Sequence, residues 1–294
     1  MKTKGMLLAA GLLVVLLVGA AAQAQNGLVL RYRYAPGDVQ TYLMKGTVQG
    51  AVKTADASEM PVTADMDGRI TAKTTAVSDR GVASQEITLG RLTVTTEAMG
   101  IQSQAVIEAG KITVTVNGQP VELPQGIPGV AAFGTPIKAK VDPRGRVLQM
   151  DTTPLGDLAA GFDPSMLRET SVVFPEGPVN VGDSWSSKMT IPLNMMGRKT
   201  NVTLDFTYTF AGVEQYKGKD VARLDLKGTA TMASAGDSAF QSRQTFSGFE
   251  LFDYSAGRDA YDKINLQQTM TMPSAAGQPA ATMTMTGDFE VTIE

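Results

Sequence analysis

Apolar and polar residues alternate at period two over most of the chain, the signature of strands with one packed face and one wet face. In Leu204-Asp-Phe-Thr-Tyr-Thr-Phe210 every even position is apolar or aromatic and every odd one polar. Ala222-Arg-Leu-Asp-Leu-Lys227 repeats the pattern. At the C-terminus Met283, Met285, Phe289, Val291 and Ile293 share one face, against Thr282, Thr284, Thr286 and Glu290 on the other. Turn signals punctuate these runs, most clearly Asn117-Gly118 in "ITVTVNGQPVEL", which supplies the positive φ angles of a two-residue hairpin. Only "DPSMLRET", with Asp163 as cap and Pro164 at the first helical position, predicts a helix. Several runs exceed ten residues, longer than the usual strand. The expected fold is therefore mostly β: one large curved antiparallel sheet, an open barrel or clam, with little helix.

The order of turn signals repeats. Pro36-Gly37-Asp38, a long alternating segment, the turn Ser78-Asp-Arg-Gly81, more strands and Asp142-x-x-Gly-Arg146 follow one another in the first half. Pro178, Gly182-Asp183, a long alternating segment, Tyr216-Lys-Gly218, another strand and Asp253-x-x-x-Gly-Arg258 follow in the second. This reads as two diverged copies of one β meander. It divides the chain into residues 25–150 as a first β module, 151–183 as a linker with a short helix, and 184–294 as a second module packed with the first. In "VDPRGRVLQM" the acid, glycine and arginines then form a hairpin turn, because Asp and Gly supply turn chemistry and Arg146 opens the next strand. The segment "FPEGPVNVGDSW", Phe174 to Trp185, resembles an element of bacterial exported β-rich proteins classed as domains of unknown function. That resemblance implies a β-rich exported protein and carries no catalytic residues. The architecture is also similar to that of periplasmic lipoprotein carriers, whose curved sheets hold acyl chains.

Lys2 and Lys4, an apolar run from Met6 to about Val18 and the small residues ending at Ala24 read as a secretory signal peptide spanning 1–24. The expectation is a chain cleaved near Ala24 and exported to the periplasm or beyond, soluble and without a membrane span. The 294 residues carry 26 Lys+Arg against 29 Asp+Glu, and loss of Lys2 and Lys4 leaves 24 against 29. No basic cluster offers itself to phosphates, so nucleic acid is not an expected partner. There is no cysteine, hence no disulfide framework, and no histidine. These two absences remove Ser-His-Asp and Cys-His catalysis, thiol redox work and His/Cys zinc sites. Carboxylate pairs and Ser-Lys arrangements remain. In "SWSSK", Ser184 and Lys188 lack the spacing that sets both groups on one helix face, and they lie in strand-like sequence. Asp65, Asp67 and Gly68 resemble the start of a calcium loop but lack its later ligands, and read instead as an Asp-Gly turn before a strand from Arg69. No catalytic residue, metal or cofactor is expected.

Methionine supplies the candidate binding residues. "QQTMTMPSAAGQPAATMTMTG" places Met270 and Met272, and Met283 and Met285, on one face of two strands joined by a Pro/Gly loop. Three roles fit such a stripe: irregular core packing, an adaptable apolar ligand surface, or a soft Cu(I) site. The reading adopted is a non-catalytic protein that binds a lipid or another apolar or amphipathic ligand. Its alternative is a structural or protein-interaction component of the cell envelope without a small ligand. An outer-membrane barrel fits less well, because aromatics make up only 6% of the chain and its last residue is Glu294.

Overall fold

The computed structural model describes residues 27–54, 59–123, 130–151, 153–154, 173–195, 198–234, 241–272 and 281–294. The predicted leader, the helix start at Asp163 and the Pro/Gly loop after Met272 lie outside them. The strands are β1 (Val39–Thr54), β2 (Glu59–Val77), β3 (Ala83–Ala98), β4 (Ile101–Glu108), β5 (Lys111–Val116), β6 (Gln119–Val121), β7 (Ile137–Val141) and β8 (Val147–Met150). They continue as β9 (Ser184–Met195), β10 (Arg198–Tyr216), β11 (Lys219–Ser234), β12 (Gln241–Asp253), β13 (Arg258–Met272) and β14 (Ala281–Ile293). All lie in one antiparallel sheet ordered β6-β5-β4-β3-β2-β1-β14-β13-β12-β11-β10-β9, with the β7–β8 ribbon attached to the first half of β3. Strands of both predicted modules share this one sheet through the β1–β14 ladder, from Tyr42↔Ile293 to Thr54↔Ala281. The end strands β6 and β9 do not pair with each other, so the sheet stays open.

The sheet is strongly curved at one end, which we call its base. Six strand steps separate β7 from β12, roughly 29 Å if the sheet were flat. Yet Tyr32 reaches both: its N–H donates to Pro143 O in the β7–β8 turn at 2.7 Å, and its ring lies 5.2 Å from that of Phe252 on β12. The segment carrying Tyr32 runs across the base. It is pinned by the Leu28↔Val179 bridge and by Arg33 N–H on Gly257 O at 2.9 Å. Leu30 and Phe174 plug the space beneath, against Phe210, Ala222, Leu224 and Phe252. Phe174 and Phe252 meet edge to face at 4.7 Å. The plug identifies the inner face of the sheet. Toward solvent the outer face presents Lys45, Thr47 and Gln49 on β1, Asn265, Gln267 and Thr269 on β13, and Thr284, Thr286 and Glu290 on β14. A membrane-spanning barrel needs the reverse, apolar residues outward. Among the described residues no helix is long and apolar enough to cross a membrane.

Two corners of the sheet are built alike. Gly37 N–H donates to Thr74 O and Thr74 N–H to Asp38 O, both at 2.8 Å. Gly182 N–H donates to Phe210 O at 2.8 Å and Phe210 N–H to Asp183 O at 2.9 Å. Each aspartate also turns back on its own corner, Asp38 Oδ2 accepting from Ala35 N–H and Asp183 Oδ2 from Asn180 N–H. Both glycines hold positive φ, +92° and +94°, which a side chain would strain. The stretch Asp65-Met-Asp-Gly68 is different from its sequence reading: it is no turn but the middle of β2, with both aspartates outward. An Asp-Gly pair marks a turn only where the chain reverses. Here Gly68 faces Met44, whose flexible Cε would lie 2.9 Å from a Cβ at this position.

Candidate functional site

At the base, next to the plug, the inner face carries carboxyl groups. Glu250 on β12 lies directly opposite Asp262 on β13. Asp259 precedes Asp262 by three residues and would face outward in a regular strand. A β-bulge changes this: Leu251 pairs with Tyr261 and Phe252 with Asp259, so Ala260 is the extra residue and parity flips. The bulge thus brings Asp259 onto the same face as Glu250 and Asp262. Tyr32 O–H donates to Asp259 Oδ1 at 2.9 Å, Glu250 donates to the same carboxylate, and the Tyr42 hydroxyl lies within reach of it. Tyr208 stands one strand row away with Trp185 stacked on it at 6.0 Å.

Burial dominates the electrostatics of this cluster. Glu250 is only 8% exposed, and loss of water pushes its carboxyl well above the usual range, reinforced by Asp259 and Asp262. Asp262 is pushed up to about 8 by burial and by Asp259. Burial also raises Asp259, against hydrogen bonds from Tyr32 and Glu250, while the Tyr42 hydroxyl donates to Gln40 Oε1 at 2.8 Å. Tyr32, Tyr34, Tyr42 and Tyr208 are all raised by burial and by these acids. Glu250 Oε1, Asp262 Oδ1 and Trp185 Nε1 are buried without a hydrogen-bond partner. Asp253, three residues beyond Glu250, behaves oppositely. Burial would raise it, but Ser255 Oγ–H, Ala256 N–H and Lys219 Nζ outweigh that and hold it at about 2.

Above the acids the inner face is apolar in its two lower rows and mixed in its two upper rows. From β12 to β1 the rows read Gly248, Ile264, Phe289, Gly46; then Phe246, Leu266, Gly287, Val48; then Gln244, Gln268, Met285, Gly50; then Ser242, Met270, Met283, Val52. Most of these side chains are half-buried rather than enclosed. At two glycines an aromatic ring fills the space of the missing side chain: Phe289 covers Gly46, and Phe206 covers Gly228 on β11. Gln268 donates to Ser242 Oγ at 3.0 Å, a polar contact between buried side chains of the upper rows.

The predicted methionines fall in these upper rows. Met270 and Met283 are direct cross-strand neighbours and half-buried; Met285 lies opposite Gln268. Met272 lies on the same strand opposite Ala281, with its side chain outside the described set. Ser184 and Lys188 sit on the edge strand β9, Lys188 exposed and 4.0 Å from Asp205. Asp142 forms the β7–β8 turn, its Oδ1 accepting from Arg144 N–H and Arg146 N–H at 2.9 Å, with Gly145 at φ +88°. Sequence reasoning missed the acid cluster because the bulge hides the shared face of Asp259 and Asp262. The available signal was Glu250 and Asp262 at apolar-parity positions of their strands, where a charge is out of pattern.

No protein-family model matches the chain, and no curated protein matches it. Among solved structures, it is similar to lipovitellin, described for lipid–protein interactions, with a TM-score of 0.42 and 9% identity over 89% of this chain and 25% of that one. It is similar to an outer-membrane channel from Pseudomonas putida F1 with a TM-score of 0.24 and 6% identity, covering 90% of this chain and 97% of that one. DynF, from the dynemicin biosynthesis pathway of Micromonospora chersina, gives 0.24 and 8%, covering 91% and 89%. The chain spans a quarter of the lipovitellin chain.

Proposed function

We propose that this chain is an exported, non-catalytic protein that binds an apolar or amphipathic ligand along the inner face of its sheet. The observation that carries the reading is the set of apolar side chains on the rows between β12 and β1, Ile264, Phe289, Phe246, Leu266, Val48 and the methionines above them, half-buried and covered by no second layer among the described residues. Packed sheets normally bury such a face against another element. Methionines and glycine-backed rings line it, and both adapt to a ligand's shape. Of the three acids, the pair Glu250–Asp259 lacks the separation that glycosidase chemistry needs. Glycosidase acids stand about 5 Å or more apart to admit a sugar bond, whereas Glu250 is hydrogen-bonded directly to Asp259.

The test is titration with the neutral fluorophore N-phenyl-1-naphthylamine. The parent protein is expected to bind it saturably. Leu266→Arg, in the second row, should abolish binding, and the outward Thr286→Arg should leave it intact. A parent that binds no probe, or two variants that behave alike, would sink the reading and leave the face to a protein partner of the envelope.

A further inference from the structure

We infer that the Glu250–Asp259–Asp262 cluster is the head-group site for the ligand of the inner face, and that this head group is an alkylammonium cation. The inference rests on the reading of the inner face as a ligand surface and adds the chemical class of the ligand. Three carboxyl groups share one end of the face, and no described cation pairs with them. Lys219 is taken by Asp253, Lys263 by Glu290 and Arg223 by Asp225, the last two on the outer face. Glu250 is more than nine-tenths buried, yet its Oε1 has no hydrogen-bond partner, and neither has Asp262 Oδ1 directly across the ladder. The site therefore holds two carboxyl oxygens free to accept a hydrogen bond. An ammonium group brings three donors and no acceptor. An alcohol brings one, and a carboxylate brings charge of the wrong sign. The tail of the alkylammonium ligand would lie along Ile264, Leu266 and Met285 toward the rim.

The experiment displaces bound N-phenyl-1-naphthylamine with dodecylamine, dodecanol or dodecanoate at pH 7. Dodecylamine is expected to compete at about tenfold lower concentration than dodecanol, as charge-assisted hydrogen bonds imply, and dodecanoate should be weakest. The near-isosteric double variant Glu250→Gln/Asp262→Asn should keep the fluorophore and dodecanol and lose the preference for the amine. Should that variant not fold, the parent alone decides. Its amine-over-alcohol ratio should grow from pH 5 to pH 9, as the acids ionise while the amine stays charged. Equal competition by amine and alcohol, an unchanged ratio in the folded variant, or a ratio flat with pH overturns the ammonium site while leaving the apolar face intact. Failure of the fluorophore to bind overturns both.

Discussion

Glu250 and Asp253 stand three residues apart on one strand, and their surroundings drive them in opposite directions. Asp253 ends the strand among donors and stays ionised; Glu250 faces other acids and a plug of rings and holds its proton. The consequence for stability has a definite sign. Glu250, Asp259 and Asp262 are raised in the folded protein, so above the usual carboxyl range the folded state retains protons that the unfolded chain has released, in the case of Asp262 up to about pH 8. Their contribution is fully present below the unfolded carboxyl range and is lost as pH rises through their folded values, at up to about 1.4 kcal/mol per pH unit for each group. Thermal unfolding followed from pH 4.5 to pH 9 should show stability falling across that window. Asp262→Asn should flatten the slope. A parent profile that is level, or that rises, would contradict the burial of this cluster.

At the scale of the strand, glycine and bulge positions shape the sheet. Gly46 shows why: a Cβ there would meet Phe289 Cδ1 at 2.3 Å and Cε1 at 2.5 Å. The ring occupies the space of the missing side chain, so a residue with weak strand propensity becomes well packed. Gly46→Ala is expected to cost about 1–3 kcal/mol through overpacking. Because all three near atoms belong to the Phe289 ring, Phe289→Leu in the Gly46→Ala background should recover part of the loss. Chemical denaturation of the single and double variants measures this, and strict additivity of the two changes would disprove the ring-over-glycine account. Strands were legible where alternation was regular, since Leu204–Phe210 and Met283–Ile293 place the residues that turned inward, whereas the middle of β2 was misread as a turn. The bulge at Ala260 was not legible, since one extra residue alters parity without leaving a mark in composition.

For the molecule as a whole the base is the anchoring region. It gathers Leu30 and Phe174 from outside the sheet onto Phe210, Leu224 and Phe252 from within it. Phe252 is fully buried, and Phe252→Ala should cost about 3–5 kcal/mol. Met283→Ala, in a half-buried upper row, should cost clearly less. Urea unfolding of the two variants makes the comparison, and equal losses would mean that the upper rows are as enclosed as the base.

Local chemistry settled the strands, the Asn117-Gly118 hairpin with φ of +49° and +79°, and the Asp142 turn, because side-chain period and left-handed backbone positions are properties of neighbouring residues. The same neighbours could mislead, as Asp67-Gly68 did, when nothing local says whether the chain reverses. Only the tertiary structure decided that strands from both halves form one sheet, through a ladder between residues as distant as Tyr42 and Ile293. It alone decided which face is inside, because the plug comes from Leu30 and Phe174 at great sequence distance from the strands they cover. The acid cluster belongs to that second class. Glu250, Asp259 and Asp262 are close in sequence, but their shared face depends on a bulge, and their burial on Tyr32, brought across the base from more than two hundred residues away.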